Sequence, residues 1–136
     1  KTLRNWIAVG ANDMNGNPAP FSNYGKKEVD LFAPGVNVYS TIYDKRFKYR
    51  AMDGTSMAAP VVTGVIALIW NYFPELTAEE VKEAVLGSVT SRKGAIVPCP
   101  GSGEKIDFAD LCRTGGIVNA LEAVKLAEKI YEEKHK

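Results

Sequence analysis

Hydrophobic positions in this chain come first as short runs and later as long helical stripes. Trp6 to Ala11 and Val29 to Phe32 are brief apolar runs closed by turn residues, which predicts buried strands of a parallel sheet. Val36 to Tyr43 and Phe47 to Met52 alternate around Asp44-Lys45-Arg46, the pattern of an antiparallel hairpin that delivers the chain to Gly54. At Ser56 the period becomes helical and stays so to about Tyr72. Val61, Val65, Leu68 and Tyr72 share one face, Val62, Ile66 and Ile69 lie beside it, and Ala59, Thr63 and Ala67 form a small-residue stripe that another backbone could approach. So wide an apolar surface predicts a central helix, buried on most sides against a sheet.

A second helix is predicted to open at Thr77, which forms a capping box with Glu80, and to bury Val81, Ala84 and Val85. A third opens at Asn119 with Glu122 three residues on, read as another capping box, and is expected to bury Leu121, Val124 and Ala127. Its last turns, Glu128 to Lys136, are mostly charged and are expected to fray. The pattern as a whole is α/β: mostly parallel strands, one hairpin and about three helices. It shows no repeat, low-complexity segment or domain linker.

At 136 residues and 46% hydrophobic, the chain is large enough to bury one core. Its formal net charge is only +1, with Lys and Arg scattered among Asp and Glu, so no basic patch argues for nucleic acid or an anionic membrane. The longest uncharged stretch, Gly54 to Pro74, is interrupted by Pro60, Gly64 and Asn71. Its apolar part, Met57 to Trp70, falls short of the roughly 20 residues that span a bilayer, and so predicts a buried helix. The first residue is Lys1 and no signal-peptide pattern is visible, as expected of a piece of a longer protein.

The chemistry concentrates in Gly54-Thr55-Ser56-Met57-Ala58-Ala59-Pro60. These residues set a serine on a glycine turn at the head of the long helix, where unpaired N–H groups and a partial positive charge would meet an oxyanion forming beside Ser56. Pro60 has no N–H, so the Ser56 carbonyl loses its usual partner and the first turn must be irregular. Taken alone, the string also fits a serine that merely caps a helix.

With Val61-Val62-Thr63-Gly64 added, the segment closely resembles the nucleophile segment of the subtilisin-like serine proteases. Trp6-Ile7-Ala8-Val9-Gly10-Ala11 resembles a strand of that family, Phe21-Ser22-Asn23-Tyr24-Gly25 its Phe-Ser-x-x-Gly turn, and Val29-Asp30-Leu31-Phe32-Ala33-Pro34-Gly35 its Asp-x-x-Ala-Pro-Gly segment. Val38 to Thr41 resembles the next strand, and Gly116 to Ala120 the start of the closing helix. Only residues 91 to 115 have no recognised counterpart. The resemblance implies the C-terminal part of a three-layer catalytic domain over residues 1 to 136, with an insertion at about 91 to 115. It implies Ser56 as the nucleophile, the Ser56 N–H and the Thr55 hydroxyl as oxyanion donors, and Met57 on the leaving-group side.

The family's catalytic aspartate, histidine and oxyanion asparagine lie upstream of Lys1. The single histidine, His135, stands in a charged tail and reads as solvated. The resemblance therefore implies that this chain alone is inactive, that its partners are a protein or peptide substrate and the upstream part of the same domain, and that an isolated piece with a cut sheet self-associates. The alternative is a pseudo-protease that uses the fold for binding or assembly. Family calcium sites draw mostly on the upstream part, so no metal or cofactor is assigned. Export, also implied, favours a disulfide between Cys99 and Cys112 over two free thiols, and such a bridge would contribute roughly 3 kcal/mol by restricting the unfolded loop.

Overall fold

The computed structural model describes residues 4 to 136. Its centre is a four-stranded sheet in the order β1 (Val9–Asn12), β2 (Leu31–Pro34), β8 (Gly116–Ile117), β5 (Thr90–Ser91). The first three strands run parallel and β5 is antiparallel to β8. Both leading strands begin later than their apolar runs, and ahead of β1 side chains take the backbone groups. The Asp30 carboxylate accepts from the Ala8 N–H at 2.8 Å, and the Lys82 ammonium donates to the Trp6 carbonyl at 2.7 Å. Strand β1 is an edge of the sheet. A returning loop closes its end at Ala11, whose carbonyl accepts from Ala19 and whose N–H donates to the buried Ser22 hydroxyl, both at 2.8 Å.

Between β2 and the first helix runs the expected hairpin, β3 (Val38–Thr41) against β4 (Tyr49–Met52), with Val38 opposite Met52 and Thr41 opposite Tyr49. Helix α1 (Thr55–Tyr72) lies along β1 and β2, and α2 (Ala78–Gly87) and α3 (Ala120–Lys134) pack against it and against each other. At 18 residues α1 is by length and composition apolar enough to cross a membrane, yet four of its residues are seated in the core. Ala58, Val62, Val65 and Ile69 are buried together with Ala11, Leu31 and Ala33 of the sheet. The helix is not covered all round: Leu68, Trp70 and Tyr72, on either side of the buried stripe, are exposed, so burial on most sides, the expectation from its composition, is not met within the described residues.

Helix α2 begins as its sequence predicts. The Thr77 hydroxyl accepts from the Glu80 N–H, the Glu80 carboxylate accepts from the Thr77 N–H at 2.6 Å, and Val81, Ala84 and Val85 are buried. Helix α3 departs from expectation in three ways. Asn119 caps it by accepting from the Glu122 N–H, but Glu122 turns to Lys125 rather than back to the cap. Of the residues expected inside, Ala127 is buried, but Val124 is only half-buried, Leu121 is 65% exposed, and Ala123 is buried instead. Small residues win because α3 lies close on α2, where a Cβ added at Gly87 would already stand 3.0 Å from Leu126. The charged end does not fray: the Lys134 ammonium bridges the Glu75 carbonyl and the Glu80 carboxylate, and the His135 ring spans the Tyr131 carbonyl and the Glu75 carboxylate at 2.7 Å each.

Residues 91 to 115 build a second core on the other face of the sheet. Strands β6 (Ile96–Pro98) and β7 (Lys105–Asp107) pair, and a single 3-10 turn follows at Phe108–Asp110. Phe108 meets Phe32 edge-on at 5.1 Å, with Val29, Val97 and Leu111 buried around them. Cys99 and Cys112 are both buried in this cluster as free thiols, which corrects the expected bridge. The two sulfurs are turned to different partners, Cys112 toward the Gly116 carbonyl at 3.8 Å and Cys99 toward the Tyr24 hydroxyl, whose pKa it raises. Aromatic packing orders the segment without a crosslink.

Thr77→Ala removes one half of the α2 cap and should lower stability by about 1 kcal/mol in urea unfolding, with the slope unchanged; an unchanged midpoint would mean the cap carries no weight. His135 supplies a pH test. Its pKa is raised, first by the Tyr131 carbonyl and then by Glu75, so its contribution is complete below the unfolded value of about 6.5 and is lost as pH rises through the folded value. Amides in the last turn of α3 should be better protected from exchange at about pH 6 than at about pH 8, once intrinsic rates are corrected, and a His135→Gln variant should show no such difference.

Candidate active site

The turn before α1 is made of two glycine contacts. Gly54 sits at a φ of 153°, a conformation that side chains disfavour, and its N–H donates to the Gly35 carbonyl at 2.8 Å. Gly35 follows β2 and is wedged against the same turn: a Cβ there would stand 2.7 Å from both the Gly54 carbonyl and the Ala11 side chain. One residue pair further out, the Asp53 carboxylate accepts from the N–H of Asn37, itself in the left-handed region at φ 56°, at 2.6 Å. Hairpin, sheet and helix are thus locked together at the point where the chain enters α1.

That lock presents Ser56. The helix opens on Gly54, which offers no side-chain cap, while the Met57 and Ala58 N–H groups both turn to the Gly54 carbonyl. The N–H groups of Thr55 and Ser56 have no acceptor among the described residues, and the Ser56 hydroxyl has no hydrogen-bond partner there either. Ser56 is not the cap of this helix. Its side chain is exposed at the positive end of an 18-residue helix, beside two free donors, which is an arrangement suited to holding an oxyanion. Pro60 lies inside α1 and leaves the Ser56 carbonyl without its helical partner, as expected.

Ser56 opens onto a groove of about 720 Å³ lined by Trp6, Val9, Tyr24, Glu28 and Thr55. Through Tyr24, which Cys99 contacts, the segment 91 to 115 reaches the wall of this groove. Met57 is half-buried next to the serine, its sulfur turned toward Gly54. Cys99 and Cys112 are not brought to Ser56; they belong to the core beneath β2. His135 is at the far end of α1, held on Glu75, and an 18-residue helix of about 1.5 Å rise per residue separates it from Ser56 by roughly 25 Å. Among the described residues no cluster of three His, Cys, Asp or Glu side chains is placed to hold a metal ion.

The glycine-serine turn was legible in the sequence, but what holds it was not. Gly35, Asn37 and Asp53 are the residues it missed as positioning groups. Gly35 was visible as the end of an Ala-Pro-Gly segment; its contact with Gly54 was not.

The structure thus sets a serine on a glycine turn at a helix N-terminus, on a mostly parallel α/β sheet. The chain belongs to the subtilase family, whose sequence profile matches residues 1–102. It is 45% identical to subtilisin DY of Bacillus licheniformis over 85 residues, covering 62% of this chain and 30% of that protein. To alkaline protease 2 of Aspergillus fumigatus it is 33% identical over 135 residues, covering 85% of this chain and 27% of the relative. Among solved structures, the prenylagaramide maturation protease PagA superposes with a TM-score of 0.66 at 30% identity, over 89% of this chain and 42% of that one. The A-subunit of the AB5 toxin from E. coli gives 0.67 at 26%, over 89% and 37%. The chain thus spans about a third of the length of the proteins it matches.

If Gly35 holds the turn, Gly35→Ala must push Gly54 and Ala11 apart. We expect a loss of about 1–3 kcal/mol in stability, with a displaced Ser56 amide seen as a chemical-shift change at Thr55 and Ser56. Unperturbed Thr55 and Ser56 resonances would show that the contact does not set the turn.

Proposed function

We propose that the protein carrying this chain is a subtilisin-type serine endopeptidase, in which Ser56 attacks a peptide carbonyl and forms an acyl-enzyme. The observation that supports this most is the free Ser56 hydroxyl beside two N–H groups without acceptors, on a turn built from Gly35 and Gly54. In this reading the Ser56 N–H and the Thr55 hydroxyl share the oxyanion with an asparagine from elsewhere in the protein. A histidine, oriented by an aspartate, takes the serine proton and returns it to the leaving amine, and Met57 flanks the leaving-group side. These partners must come from beyond this chain, whose one histidine stands at the wrong end of α1.

Residues 1 to 136 then form the C-terminal part of the catalytic domain, with 91 to 115 as an insertion that fills the second core. The upstream part would cover the exposed flank of α1 and extend the sheet at β1, the two apolar surfaces left open here. Without that part those surfaces favour self-association of the chain. The substrates are proteins or peptides, and the enzyme acts outside the cytoplasm, as the family's exported members do.

In the complete protein Ser56→Ala should abolish peptide hydrolysis without changing the unfolding midpoint by more than about 1 kcal/mol, since one exposed oxygen is lost. The isolated chain should hydrolyse nothing, because in subtilisin-type triads loss of the histidine alone costs about 10⁶ in turnover. Mixed with the upstream part as a separate chain, it should regain activity. Undiminished turnover by the Ser56→Ala protein would place the nucleophile elsewhere, and no turnover by the intact complete protein would point to a pseudo-protease.

A further inference from the structure

The β3–β4 hairpin carries a surface that the Ser56 site does not use. The register pairs Tyr39 with Ala51 and Thr41 with Tyr49, so these four share one face, and the Ile42 N–H bond to the Lys48 carbonyl continues the ladder toward Tyr43 and Phe47. Tyr39 is 72% exposed, Tyr49 55% and Phe47 63%, and the Tyr39 and Tyr49 rings stack at 6.0 Å. Single exposed aromatics are ordinary, but a contiguous row along a two-stranded ribbon with both edges unpaired is not. Lys45 and Arg46 stand at the tip of the row, while Lys48 and Arg50 alternate to the reverse face and flank the same open edges of the ribbon; none of the four is in a salt bridge among the described residues. The carboxylate of the tip, Asp44, accepts from the Arg46 and Phe47 N–H groups, and Asp53 at the base accepts from Asn37.

We propose that this face of the hairpin is a docking strip for an extended acidic segment of the polypeptide substrate, engaged outside the residues that meet Ser56. It rests on Ser56 being the nucleophile of a protease, and it names the class of substrate that such a protease favours. Position and charge carry it. Strand β4 ends at Met52, four residues before Ser56, so a substrate held at the serine reaches Tyr49 within about eight extended residues. The open edges offer backbone partners to such a strand, the tyrosines offer flat apolar contact, and the cations of the tip, with Lys48 and Arg50 reaching the same edges from the reverse face, select Asp and Glu.

The rest of the same domain does not fit this hairpin, because covering its tip and edges would strip unpaired cations of water. The chain reserves a different surface for that purpose, the exposed flank of α1, in a stretch from Gly54 to Pro74 without a single charge. A lipid bilayer fits poorly as well. The residues at the very tip are Asp44, Lys45 and Arg46, so insertion would have to lead with charge.

The test uses the complete protein in two forms. With Ser56→Ala in place, binding of a fluorescent peptide bearing an acidic segment, read by anisotropy, should weaken about tenfold in the Lys45→Glu/Arg46→Glu/Lys48→Glu variant and also as NaCl rises from about 0.05 to about 0.5 M. A neutral peptide of the same length should respond to neither. With Ser56 intact, the same reversal should raise KM for the long acidic peptide and leave a short chromogenic peptide unaffected; a Tyr49→Ser variant should weaken acidic and neutral long peptides alike. Equal binding of acidic and neutral peptides, or an acidic preference that survives the charge reversal, would overturn the proposal. So would tighter capture by phosphatidylserine vesicles or a poly-thymidine oligonucleotide than by the acidic peptide. Failure of the short peptide to be hydrolysed would count against the protease reading alone, since the binding measurement does not depend on turnover.

Discussion

The structure around Ser56 depends on one close approach of backbone to backbone. Gly35 and Gly54 come from segments 19 positions apart in sequence, and the Gly54 N–H reaches the Gly35 carbonyl at 2.8 Å with no room for a side chain between them. Because the contact joins the end of β2 to the start of α1, it fixes where the helix begins relative to the sheet. That in turn decides that the first free N–H groups of α1 lie beside the Ser56 hydroxyl. A side-chain cap would have used those donors, whereas Gly54 leaves them open at a conformation that glycine alone adopts readily. The stability given up by an uncapped helix is offset by the Ala58, Val62, Val65 and Ile69 stripe packed on Ala11, Leu31 and Ala33.

The sheet has to serve two cores at once, and the alternation of β2 divides them. Leu31 and Ala33 face the helices, while Phe32 between them faces Phe108 and the segment 91 to 115. The segment is bound in by more than that ring. Arg113 bridges to the mostly buried Asp30 at 2.7 Å, Gly25 donates to the Leu111 carbonyl, and Gly101 donates to the Pro20 carbonyl. Loop 18 to 25 is thereby held between the insertion and the groove at Ser56, with Tyr24 touching both. The segment 91 to 115 thus backs the wall of the groove at Ser56 without lining it.

Much of this was legible in the residues. Strand pairs, hairpin, central helix, the Thr77–Glu80 cap and the serine turn follow from period and spacing, since each depends on neighbours within a few positions. The failures share a physical origin in partners distant along the chain. In α3 the apolar residues fit two faces, and only the closeness of α2 selects Ala123 and Ala127 over Leu121. His135 is exposed as expected, but its contact was hidden because Glu75, its partner, is 60 positions away. The cysteines suggested a bridge by compartment and loop length, but the direction of each sulfur is set by Tyr24 and by Gly116. Gly35 announced a tight turn without revealing what would press on it.

Surface chemistry carries a further distinction that periodicity alone does not. Of the regions of the described chain that expose large apolar side chains, helix α1 and the hairpin differ completely in charge. The flank of α1, with Leu68, Trp70 and Tyr72, belongs to a run of 21 residues, Gly54 to Pro74, that contains no ionisable acid or base other than Tyr72. Covering it costs little beyond ordering the partner, and the gain scales with area removed from water. The hairpin interleaves Tyr43, Phe47 and Tyr49 with Lys45, Arg46, Lys48 and Arg50, so permanent coverage would strand charges while transient contact with an anionic chain would not. A surface destined for the inside of a domain and one destined for passing partners can both be rich in aromatics. What separates them is whether the charges between those rings could ever be paid for in a dry interface, and here only the helix flank passes that test.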